Sequence, residues 1–65
     1  MSFDFTKKEF DDICKKAMLN DEFIKIFEMK IKGYSITKIS MEMNMSERTI
    51  NRRIKELKKK IIRVL

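Results

Sequence analysis

The sequence predicts an all-α fold, a single small domain of four helices, and three observations carry that expectation. The 65-residue chain has no proline and one glycine, Gly33, and no Asn-Gly or Asp-Gly pair of the kind that closes a hairpin. Lys, Ile, Glu and Met dominate it, and most of these suit helices. Four cap-competent residues, Thr6, Asn20, Ser35 and Ser46, each stand between apolar residues at the spacing of a hydrophobic staple.

The first helix, about residues 6–18, starts at Thr6. Glu9 completes a capping box, and Phe5 with Phe10 forms the staple. Phe10, Ile13, Cys14 and Ala17 then share one apolar face. The second, about 21–32, is capped by Asn20 and stapled by Leu19 and Ile24. Asp21 and Glu22 complement the dipole in its first turn. Phe23, Ile24, Phe27 and Ile31 form its expected buried stripe, and Gly33 ends it in a left-handed conformation. The third, about 36–43, is capped by Ser35 with Tyr34 and Ile39 as staple, and Asn44 takes the left-handed position after it. The fourth, about 46–62, is capped by Ser46 with Met45 and Ile50 as staple. It carries Ile50, Ile54, Leu57 and Ile61 at helical spacing. Met41 to Met45 alternates like a strand, but a lone strand has no partner here. The segment is assigned to a helix end and turn, with Met41 the most exposed of its methionines.

Composition excludes several chemistries. A lone Cys14 and no histidine leave neither a disulfide, a structural zinc site nor a histidine-based triad. No metal or cofactor is expected, and no nucleophile, base and orienting group converge to suggest an enzyme. No apolar run approaches a membrane span or a signal peptide, so a cytoplasmic protein is expected. The net charge of +6 is placed unevenly. Residues 1–45 hold eight basic and eight acidic residues; residues 46–65 hold eight basic residues against Glu47 and Glu56. A neutral body with one basic segment is the pattern of a polyanion binder. A merely solvated lysine-rich face is the alternative.

The most informative stretch is 36–55. A short helix and a longer one are joined by a tight turn. Ile39, Met43, Met45, Ile50 and Ile54 face inward, and the small Ser40 stands where the helices would cross. This is the spacing of a helix-turn-helix, which presents the N-terminal residues of its second helix to the major groove. The segment from Gly33-Tyr34-Ser35-Ile36-Thr37-Lys38-Ile39-Ser40 to Ser46-Glu47-Arg48-Thr49-Ile50-Asn51-Arg52-Arg53-Ile54 resembles the DNA-binding domain of LuxR/GerE-type regulators. The fourth conserved region of bacterial sigma factors has the same helical layout and is a close alternative. Ser40 stands where that family commonly has alanine, Ile50 where it has valine, and Arg53 where it often has histidine. The first helix lies outside the shared part, and the family's usual input domain is not expected ahead of it. The resemblance implies a bacterial or phage transcriptional regulator built as a trihelical helix-turn-helix core with an added N-terminal helix.

On a helix beginning at Ser46 the expected groove face is Glu47, Arg48, Asn51, Arg52 and Lys55. Asn51 suits adenine, Arg48 or Arg52 guanine, and Glu47 the amino group of cytosine. Glu47 is equally explained as a favourable acid in a first turn. Expected phosphate contacts are Tyr34, Thr37 and Lys38 near one helix start, Ser46, Thr49 and Arg53, and Lys58 and Lys59 further along. Leu57, Ile61, Ile62, Val64 and Leu65 exceed the needs of a trihelical core and are expected to form a homodimer contact, as the C-terminal helix commonly does in GerE-type domains. Double-stranded DNA and a second copy of the chain are thus the expected partners. Two other readings stay open: a sigma-like adaptor that contacts RNA polymerase, and membrane-surface attachment by the basic amphipathic segment 55–65. No membrane partner is expected, because that segment lacks tryptophan and phenylalanine.

Overall fold

Each helix begins where a side-chain oxygen meets the free amides of its first turn. In the computed structural model, which describes residues 2–65, these starts give α1 (Lys7–Lys16), α2 (Asp21–Ile31), α3 (Ile36–Met43) and α4 (Glu47–Val64). Among the described residues there is no strand. Thr6 accepts from the Glu9 N–H at 3.2 Å while its own N–H donates to Glu9 Oε1 at 2.8 Å, which closes the capping box. Asn20, Ser35 and Ser46 accept from the amides of Phe23, Lys38 and Thr49 at 2.9, 3.1 and 3.1 Å. Each such cap contributes about 1 kcal/mol.

The first three helices end alike. The Leu19, Tyr34 and Met45 amides reach back to the carbonyls of Cys14, Met29 and Ser40 at 3.0–3.1 Å. The residue before each is left-handed: Met18 at φ 52°, Gly33 at 85° and Asn44 at 54°. These are Schellman ends, and they let the chain reverse within three or four residues. Gly33 and Asn44 are the residues expected there. Met18 is not. The first helix therefore stops at Lys16 rather than near residue 18.

The core is one cluster: Ile13, Leu19, Phe23, Ile26, Phe27, Ile39, Ile50, Ile54, Leu57 and Ile61. Phe27 lies at its centre, with the rings of Phe3, Phe5 and Phe10 around it at 6.0, 5.7 and 4.9 Å between centroids. The N-terminal segment thus lays two phenylalanines on α2, and α4 packs against all three other helices. This corrects the expected stripe of α2. Ile26 is fully buried, whereas Ile24 and Ile31 are only half-buried. Apolar residues cover α2 over a wider arc than a single seam needs. Met41, 71% exposed, projects from α3, while Met43 and Met45 are half-buried fillers.

A second correction concerns the end of α4. Leu57 and Ile61 are fully buried within one chain, and Val64 is half-buried. α1 covers the last turns of α4, so these residues serve the core that was expected to end near Leu57. Only Ile62 and Leu65, 60% and 72% exposed, remain free of the residues expected at a dimer contact.

Candidate nucleic-acid interface

One side of α4 is covered by the other helices; the opposite side is bare along its whole length. Arg48, Arg52, Lys55, Lys59 and Arg63 are all exposed there. Their spacing of three or four residues keeps them on one face. At 1.5 Å per residue the stripe runs for about 22 Å. A shallow trough lies along it, bordered by Arg52, Arg53, Lys55, Glu56, Lys59, Lys60 and Arg63. Arg63 continues the same spacing but was not among the expected contacts; the period from Arg48 onward would have located it.

The N-terminal turn of α4 is held from two sides. Ser46 Oγ accepts the Thr49 amide and donates to Thr49 Oγ1 at 2.9 Å, so these two hydroxyls engage each other. Across the turn, Thr37 Oγ1 on α3 donates to Glu47 Oε2 at 3.2 Å. Ser40, half-buried between the two helices, donates its hydroxyl proton to the Thr37 carbonyl at 2.7 Å. Asn51 is exposed one turn after Glu47, on the same flank. At the start of α3 the Lys38 ammonium sits over the Tyr34 ring, 4.2 Å from its centroid.

Three cations of the basic segment also contact other parts of the chain. Arg53 Nε donates to Glu22 Oε1 on α2, an ion pair about one-third exposed on each side. Arg53, expected as a phosphate contact, thus ties α4 to α2 through Glu22 while it borders the same trough as Arg52 and Lys59. Lys58 lies over the ring of Phe3 at 5.9 Å and Lys60 over Phe23 at 5.6 Å. Both place their ammonium groups over an aromatic ring. Lys59 is exposed and belongs to the stripe.

Other chemistry is sparse. Cys14 is a free, half-buried thiol; burial, and then the Asp11 carboxylate, push its pKa up and keep it protonated. Among the described residues no cluster of three or more potential ligands could hold a metal ion. Among the described residues no helix is long and apolar enough to cross a membrane. Compared with protein-family models, curated proteins and solved structures, the chain finds no match.

Proposed function

We propose that the chain is a sequence-specific DNA-binding transcriptional regulator that works in the cytoplasm. α3 and α4 act as a helix-turn-helix, and the N-terminal turns of α4 enter the major groove. The observation that carries this reading is the stripe from Arg48 to Arg63. It occupies the one face of α4 that no other helix covers, in a chain whose first 45 residues are electrically balanced. Glu47, Arg48, Asn51, Arg52 and Lys55 then face base edges. The groove is about 12 Å wide, room for about eight residues of a helix laid across it. Lys59 and Arg63 consequently come over the phosphate strand at the groove wall. Lys38, set on Tyr34 at the start of α3, serves as a further phosphate contact, and Lys58 stands next to Lys59 at the same groove wall. The resemblance of residues 33–54 to LuxR/GerE-type domains supports the same reading.

The membrane-surface reading loses its main support in the burial of Leu57 and Ile61, which leaves segment 55–65 with two exposed apolar side chains rather than a face. No feature of the surface favours an RNA polymerase adaptor over a DNA reader.

Titration of the chain against short duplexes at several salt concentrations tests the proposal. Counterion release predicts a log–log slope of about −0.9 per neutralised phosphate, so about −5 for six contacts. Lys59→Ala should reduce the slope by about one and weaken all sequences alike. Asn51→Ala should cost about 1–3 kcal/mol on the preferred site only. Failure to bind any duplex at about 50 mM salt, where electrostatic attachment is strong, would overturn the reading.

A further inference from the structure

We infer that Thr37 is a positioning residue that aims the Glu47 carboxylate, and that Glu47 makes the chain select a cytosine at one base pair. This rests on the DNA-binding reading above and assigns Thr37 a role different from the phosphate contact expected of it. Thr37 lies at the start of α3 and Glu47 at the start of α4, ten residues apart, and both are exposed. The hydrogen bond from Thr37 Oγ1 to Glu47 Oε2 at 3.2 Å joins the two helices where α4 meets the groove. It fixes one carboxylate oxygen and leaves Oε1 without a partner among the described residues.

The charge of Glu47 matters for its position rather than for being unpaired, since among the described residues only Asp12, Glu22 and Glu28 make ion pairs. Among the described residues it makes no ion pair, although five cations line the face that begins beside it. Spacing explains this: Arg48 is the next residue and points away, and the residues three and four further on are Ile50 and Asn51. An unneutralised carboxylate at the leading edge of a cationic face repels phosphate. It therefore lowers affinity for DNA in general. In the major groove a carboxylate can only accept; guanine and thymine present acceptors there, adenine sets its N7 acceptor beside its N6 amino group, and cytosine alone presents an amino group with no acceptor beside it. A fixed Glu47 thus gains a hydrogen bond at cytosine and meets repulsion at guanine or thymine. A carboxylate free to rotate would evade that repulsion, so the Thr37 hydroxyl sharpens the choice.

Selection of bound duplexes from a random pool, followed by titration of the preferred duplex and its single-position substitutions, tests the inference. The wild-type chain, Glu47→Gln, Thr37→Val and Thr37→Ser are compared, each checked by circular dichroism for native helix content. The wild type should select a site with one cytosine preferred about ten-fold or more over guanine and thymine, the scale of one good base contact, and also preferred over adenine, whose N7 acceptor repels the carboxylate. Glu47→Gln, which can donate as well as accept, should lose that preference while binding random duplex more tightly. Thr37→Val should weaken it several-fold at the same position alone, and Thr37→Ser should restore it. If Glu47→Gln leaves every position of the selected site unchanged, Glu47 only stabilises the helix start and the inference falls while DNA binding stands. If Thr37→Val weakens all duplexes equally, Thr37 is a phosphate contact and the positioning role falls. If the wild type selects no site at all, the sequence-specific reading itself is wrong, and this inference goes with it.

Discussion

Met18 shows what a single residue can cost in so small a chain. Its left-handed backbone, φ 52°, closes α1, and its side chain is 87% exposed, so no packing offsets the strain. A non-glycine residue in this conformation is disfavoured by about 1–2 kcal/mol. Glycine there would relieve the strain and lose part of the gain to a more flexible unfolded chain. Met18→Gly is expected to stabilise the protein by about 0.5–1 kcal/mol in urea denaturation. A loss of stability would mean that the α1 end is held by Met18 contacts instead. The contrast with the other helix ends explains what was readable beforehand. Gly33 and Asn44 announce left-handed ends, because glycine has no Cβ to clash and the short polar side chain of asparagine tolerates that conformation. At Met18 the end is set by the next residue: Leu19 must reach the core, and it is buried. That requirement is tertiary, and no local pattern of residue types carries it. The N-caps are the opposite case. Their hydrogen bonds span three residues, so Thr6, Asn20, Ser35 and Ser46 could be placed from the sequence alone.

Between elements, the interactions that set the angle of α4 come from residues far apart in the chain. Arg53 and Glu22 are separated by 31 positions, and the charge of each was visible while their pairing was not. The same holds for Thr37 and Glu47, whose contact depends on the tight turn at Asn44. The stripe on α4 was more legible, because it follows from the period of one helix; Arg48, Arg52 and Lys55, expected on the groove face, lie on it, and Glu47 and Asn51 are exposed beside it. The Arg53–Glu22 pair is one-third exposed, so its energy is screened and should be near the upper end of surface ion pairs, about 1 kcal/mol. A double-mutant cycle with Glu22→Gln and Arg53→Met should return a coupling of that size. Arg53→Met should also leave the salt slope of duplex binding unchanged, because its guanidinium is occupied by Glu22. A slope reduced by about one would instead return Arg53 to the phosphate contacts.

For the whole molecule, the closure of the core around Ile61 decides how copies of the chain meet. The protein measures 28 × 21 × 18 Å, and α1 together with the N-terminal phenylalanines supplies the layer that a trihelical core lacks. Ile61, fully buried, therefore behaves as core: Ile61→Ala should cost about 2–5 kcal/mol, a large part of the total stability of a domain this small. Because that loss arises within one chain, the melting temperature of the variant should not depend on protein concentration. Ile62→Ser, at an exposed position, should melt like the wild type. What is left for a two-fold contact is Ile62 and Leu65, two side chains where a stable interface buries upwards of about 1,000 Å². We therefore expect a monomer in free solution, which pairs only when DNA holds two copies side by side and raises their effective concentration. Half-sites about ten base pairs apart would place two α4 helices about 34 Å apart on one side of the duplex. Sedimentation at micromolar concentration should give a monomer without DNA and two chains on a duplex with two half-sites. Ile62→Ser should remove the cooperativity of that second binding step and leave affinity for a single half-site intact. A concentration-dependent dimer in the absence of DNA, abolished by Ile61→Ala at temperatures where the variant is still folded, would show that α4 opens from the core to meet its partner.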